Sequence, residues 1–177
     1  MSTELEINQT IRNIINTVTG IDGYAIKARQ TGAVKPAGGF ATVDVIAIAQ
    51  TGTVDRVAGS HTSTDMQINN IIRQEVTVSC RFFRDNALDN AVKVKAGMSN
   101  ISTLSTLRQA SLGYIDCSSA RHIPNTTDTG WEDSVSLDIR LNADTTITES
   151  VALINSSDVN MDNSKTISTV QVQSITQ

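Results

Sequence analysis

Aromatic side chains make up only 3% of this 177-residue chain, too few for a platform on which nucleic-acid bases could stack. Cysteine is scarcer still. Cys80 and Cys117 are the two present, and each lies in an apolar strand pattern, so buried, reduced thiols are expected rather than a disulfide framework. There is no excess of positive charge: the net charge is -4 and the pI near 5.0. That excludes the global cationic footprint of a protein that wraps nucleic acid. No stretch approaches the roughly 20 apolar residues of a membrane span, and the N-terminus lacks the basic region, apolar run and cleavage site of a secretory signal. A soluble protein made inside the cell is the expectation.

Catalytic signatures are missing too. A catalytic set needs a nucleophile or acid, a base, and something to orient them. The two histidines, His61 and His122, sit in separate predicted loops. No phosphate-binding loop, GxSxG elbow or Cys/His metal spacing occurs. Gly38-Gly39 precedes a predicted strand, whereas a phosphate cradle opens a helix. His61 and Asp65 have helical spacing but lack the second ligand cluster a structural metal site requires. Glu132 and Asp133 are adjacent in a predicted strand, so they point to opposite faces and cannot share a proton or metal. No catalytic residue, metal or cofactor is expected, and no enzyme.

What the chain does have is a clear strand-to-helix unit from Arg73 to Met98. Val76, Val78, Cys80 and Phe82 alternate with Thr77, Ser79 and Arg81, the period of a half-buried strand. Asp85 or Asn86 is placed to cap a following helix with its side chain, and Asp89 adds negative charge at the helix's positive end. Ala87, Ala91, Val94 and Met98 recur at helical spacing, with Leu88 and Val92 predicted to widen the buried stripe.

An N-terminal amphipathic helix is predicted from the capping-box pattern Thr3-Glu4-Leu5-Glu6 and the stripe Ile7, Ile11, Ile14, Ile15 and Val18, ending at Gly20 or Gly23. Its apolar face packs on a sheet or docks a neighbour. Residues 24–39 form a connector with one short strand; Lys27, Arg29 and Lys35 make it a local basic arm. Phe40–Ala49 reads as a strand apolar on both faces, hence central or doubly covered. Gln50–Asn70 is long and polar and reads as a projecting hairpin or mobile loop leading to a strand over Ile71–Phe83.

Further on, Ile101, Leu104 and Leu107 suggest a short helical turn, Leu112–Ser118 a strand, and Arg121–Asn125 a turn. Trp131–Ala143 is a second clean strand, with Trp131, Val135, Leu137, Ile139, Leu141 and Ala143 on one face. Thr146–Ile154 adds another. Residues 155–177 turn polar and then regain weak strand character through Ile167, Val170, Val172 and Ile175. The reading is one α+β domain over 1–154, an antiparallel or mixed sheet packed by an N-terminal and a central helix with a long hairpin-like insertion, and a C-terminal extension over 155–177.

The order of elements, with Arg73, Val76, Val78, Phe82, Phe83, Ala87 and Ala91 at the strand-to-helix junction, resembles the neck or tail terminator proteins of tailed bacteriophages. Gly113-Tyr114-Ile115, Trp131-Glu132 and Leu137-Asp138-Ile139 continue the resemblance, which covers roughly Phe40–Ile154. This chain has Phe83-Arg84 where that family tends to follow the aromatic with a small residue, and Ser134 near where it has an arginine.

The resemblance implies a structural virion protein, made in the host cytoplasm, that forms a hexameric ring. The ring would cap the tail tube, join it to the head connector and pass DNA without reading its sequence. Implied partners are other copies of the chain, tail-tube and connector proteins, and the sheath in contractile tails. Candidate contact residues are Arg56, His61, Asp65, Arg73, Glu75, Arg81 and Arg84, with Ile167, Val170 and Val172 in the extension. Two alternatives stay open. One is another ring-forming phage protein, of the tail tube or head-completion type; the other is a monomeric module binding a ligand through Gln50–Asn70.

Overall fold

The computed structural model describes residues 4–30, 36–61, 65–127 and 130–152. In chain order the elements are α1 (Glu4–Thr19), β1 (Ala25–Lys27), β2 (Phe40–Gln50), β3 (Asp55–His61), β4 (Asp65–Phe83), α2 (Ala87–Gly97), α3 (Ile101–Gln109), β5 (Leu112–Cys117), β6 (Arg121–His122), β7 (Asn125–Thr127), β8 (Gly130–Glu132) and β9 (Ser134–Ala152).

Helix α1 forms because Ile7, Ile11, Ile14 and Ile15 make one stripe, and all four are buried. It stops at Gly20, whose φ of 72° suits a residue without a Cβ and whose N–H donates to the Asn16 carbonyl at 2.9 Å. The Asn16 Oδ1 accepts the Ala25 N–H at 2.8 Å, which ties the helix end to β1. The stripe packs on this chain's own sheet, so it is core. Thr3 of the capping box lies outside the described residues.

The main sheet runs β1-β2-β4-β9-β5, with β3 also on β4 and β6 also on β9. β1 and β2 are parallel and every other pairing is antiparallel, so the sheet is mixed and the fold is α+β. β3 follows β2 along the same edge of β4, which makes the insertion a hairpin arm as expected.

Period two decides which face is core. Val76, Val78, Cys80 and Phe82 lie opposite Leu141, Ile139, Leu137 and Val135, and all eight are buried. Ala87, Ala91, Val94, Met98 and Leu107 of the helical segment complete that core. Each fully buried Leu, Ile or Val contributes about 1.5–3 kcal/mol. The helices come very close: a Cβ on Gly97 would sit 2.7 Å from Val18 Cγ1, so only glycine lets α2 approach α1 this tightly.

Several expectations need correction. β4 begins at Asp65, and the strands expected over Trp131–Ala143 and Thr146–Ile154 are one, β9, running to Ala152. Trp131 is not on the core face: it lies in the small β7–β8 sheet and is 77% exposed, because the chain breaks register at Asp133. Arg121–His122 pairs with β9 as a short strand instead of turning.

Leu88 and Val92 are exposed, so the stripe of α2 is narrower than predicted. Asn86 caps α2 in the left-handed conformation with φ 57° and makes no side-chain cap hydrogen bond. β2 is not buried on both faces. A register shift between Val45 and Ala47 leaves Ile46 as an extra residue, so Val43, Val45 and then Ile48 share the core side, and Ile46 and Ile48 are exposed. Both cysteines are free thiols; Cys80 is buried and Cys117 partly so.

Candidate functional site

β4 and β9 are each 19 residues long and pair without a register break from Phe83↔Ser134 to Asp65↔Ala152. At about 3.4 Å per residue such a ribbon is roughly 60 Å long. The helices cover only the half near Phe83. In the other half, β3, β4 and β9 form a three-stranded arm whose rows include Arg56–Asn70–Ile147 and Ala58–Ile68–Glu149. Val57, Ile147 and Val151 are exposed there, and Ile68 and Ile72 only partly buried.

The sheet face opposite the helices is polar. Arg140 on β9 is gripped from both sides: its Nε donates to Asp116 Oδ1 at 2.7 Å, its Nη2 to Asp116 Oδ2, and its Nη1 to Glu75 Oε1 at 3.3 Å. The hydrogen bond from Arg140 holds the Asp116 carboxyl below its ordinary range and, reciprocally, pushes the Arg140 guanidinium up. Arg29 Nε pairs with Asp44 at 2.9 Å and Arg121 Nη2 with Asp138 at 3.4 Å on the same face. An isolated exposed ion pair adds little stability, but this set spaces acids and arginines across a face that no described element covers.

The predicted contact residues fall in three places. Glu75 and Arg81 are on the polar face; Arg81 makes no ion pair among the described residues. Arg73 sits at the base of the arm, pairing with Asp55 at 2.9 Å. Arg56, His61 and Asp65 are on the arm itself, all exposed, with His61 and Asp65 flanking the β3–β4 hairpin tip and not on a helix turn. Ile167, Val170 and Val172 lie outside the described residues, as does Lys35.

Arg84 is different, because its guanidinium is turned inward. The residue has φ 62°, its N–H donates to the Asp133 carbonyl at 2.9 Å, and its Nε pairs with Glu132 Oε1 at 2.9 Å. Its Nη1 donates to the Pro36 and Ala37 carbonyls, and its guanidinium carbon lies 5.5 Å from the ring centre of Phe40, itself stacked on Phe83 at 4.7 Å. Arg84 therefore ties the starts of β2 and β9 to the end of β4. Sequence reasoning missed this knot. Its only signal was the Phe83-Arg84 pair that sets the chain apart from its resemblance.

Among the described residues no group of three or more His, Cys, Asp or Glu side chains is placed to hold a metal ion. No described helix is long and apolar enough to cross a membrane.

The structure is thus a mixed sheet covered on one face by the helices, polar on the other, with a three-stranded arm that extends beyond the described helices. The family model for phage neck terminator proteins matches residues 6–173, nearly the whole chain, and the chain belongs to that family. Comparison with curated proteins gives no match. The family is one of structural bacteriophage proteins that associate with other neck and tail components.

Proposed function

We propose that this chain is a ring-forming structural subunit, acting without catalysis, that closes the phage tail at the neck and joins it to the head connector while DNA passes through the lumen. The observation that carries this reading is the β4–β9 ribbon, half built into a core and half left bare beyond it. A monomer gains nothing from strands that long, since a ribbon with little apolar cover is only marginally stable alone. A subunit contacting two neighbours in a ring uses both halves. The acidic balance supports DNA transit, because a lumen without net cationic charge does not hold phosphates by counterion release.

A six-fold ring is the stoichiometry proposed, as a heterologous interface whose rotation closes gives a ring. We place residues 155–177 as an extension that docks on a neighbour or partner. Deleting it leaves cooperative unfolding intact and weakens assembly; loss of cooperative unfolding in the truncated chain would contradict that. For the ring itself, native mass spectrometry of the full chain, alone and with tail tubes, is expected to show a closed oligomer. Monomers in both samples would contradict it, and long open tubes of the chain alone would favour a tail-tube role.

A further inference from the structure

Resting on the ring reading, we infer that neighbouring subunits join arm to arm, the β9 edge over 144–152 of one copy pairing with the β3 edge over 55–61 of the next. Among the described residues the β9 edge beyond Ala143 has no strand beside it. On the body, the N–H and C=O of its even-numbered residues point towards β5 and β6: the Asp138 N–H donates to Ser118 Oγ at 2.9 Å, the Ser118 N–H to the Asp138 carbonyl at 2.8 Å, and the Ile123 N–H to the Ser134 carbonyl at 2.8 Å.

β9 continues without a register break, while the last partner pair with β5 is Leu112↔Ala143. Asp144, Thr146, Thr148 and Ser150 thus turn their backbone groups outward, and no described strand meets them. The only edge protection of the usual kinds in 144–152 is charge, from Asp144 and Glu149. The edge carries no Pro, Lys or bulge, and Thr145, Thr146, Ile147, Thr148 and Val151 are β-branched.

The occupant follows from position and charge. β3 and the bare part of β9 flank the same residues of β4, so the two free edges of one arm lie at the same level, three strands apart. A rotation that carries one copy to the next brings the β9 edge of the first against the β3 edge of the second. The edges also differ in their unpaired charge, since Asp55 of β3 is taken up by Arg73. β3 presents Arg56 and β9 presents Asp144 and Glu149, and none of these three makes an ion pair among the described residues. Arg56 and Glu149 stand on the same sheet face, so in the joined sheet they face each other's side of the seam. Six copies would contribute about 18 strands, and closed barrels of that number leave an aqueous channel.

Thr146→Pro tests this directly. It removes an outward N–H, leaves the bonds to β4 in place, and is compared with Thr146→Ala for the side chain. With the full-length protein, native mass spectrometry is expected to show each interface weakened about tenfold or more in Thr146→Pro, with the monomer's unfolding midpoint unchanged and Thr146→Ala like the wild type. As a second arm independent of proline, Arg56→Glu weakens assembly and the exchange Arg56→Glu/Glu149→Arg restores it. A wild-type ring indifferent to Thr146→Pro overturns edge pairing and leaves the ring reading standing. Loss of assembly in Thr146→Pro with no effect of the charge exchange also overturns it, because the edge is then taken by something other than β3, such as residues 153–177. A wild type that stays monomeric with tail tubes contradicts the ring reading itself.

Discussion

Two halves of the same strand pair meet opposite fates. Between Val76 and Phe82, β4 and β9 face α1, α2 and α3, and Val78, Leu137 and Ile139 are wholly buried. Between Asp65 and Gln74 the same two strands keep the same register, yet Ile147 and Val151 remain exposed. Backbone pairing is common to both halves and packing belongs to one. The register is therefore fixed by the body, where a one-residue slip would turn every core side chain to the polar face. The arm inherits that register.

Breaking the body should cost most. Leu137→Ala is expected to lower stability by about 2–5 kcal/mol in urea unfolding, and Ile147→Ala on the same strand by under about 1 kcal/mol, because only the first leaves a cavity. Equal losses would erase the distinction between the halves. Arg84→Ala removes the ion pair to the Glu132 carboxylate, which is 9% exposed, and the hydrogen bonds to the Pro36 and Ala37 carbonyls beside it. A loss of about 1–3 kcal/mol is expected, reduced from that of a fully buried pair because Arg84 is partly in water.

Gly97→Ala presses a methyl onto Val18 and should cost about 1–3 kcal/mol against a helix-propensity gain of at most about 1 kcal/mol. Adding Val18→Ala should recover part of the difference; no recovery would mean that the α1–α2 approach is not what Gly97 serves.

A smaller effect is set by pH. Burial pushes the Cys117 thiol from 9.0 up to about 11, Asp116 and Asp138 adding to the rise and Lys95 opposing it, and burial raises Cys80 in the same direction. The folded state thus holds protons that the unfolded chain releases above pH 9. Stability is full below pH 9 and falls as pH rises towards 11, and Cys117→Ala should flatten that fall. Thermal midpoints between pH 8 and 11 measure it.

The body was legible because its physics is periodic. The alternation of Val76–Phe82, the Ile stripe of α1 and the small residues Ala87 and Ala91 each state which side is buried. The arm's strand limits were not: Thr146–Ile154 was legible as a strand, but Asp144 and Thr145 carry no apolar signal that joins it to the body strand before it, and among the described residues no helix packs over that stretch to impose one. Trp131 misled for the opposite reason: an aromatic in perfect register with Val135 suggests core, but Asp133 breaks the strand between them. Ile46 hid a bulge, because an inserted residue in an apolar run looks like burial on both faces. The contact candidates Arg73, Glu75 and Arg81 come from charge in an alternating pattern, and Arg56, His61 and Asp65 from a long polar stretch. Arg84 was counted among them, and its inward turn depends on the positive φ at that residue and on Glu132, 48 positions away, which no local pattern shows.

Amide hydrogen exchange on the assembled particle, compared with the free subunit, tests the division most directly. In the free subunit Thr145 and Ile147, whose amides face β4, should exchange slowly and Thr146, Thr148 and Ser150 rapidly. In the particle the even-numbered amides are expected to become slow as well, while the amides of Val76–Phe82 are unchanged. Rapid exchange at Thr146, Thr148 and Ser150 in an intact ring would contradict the edge pairing.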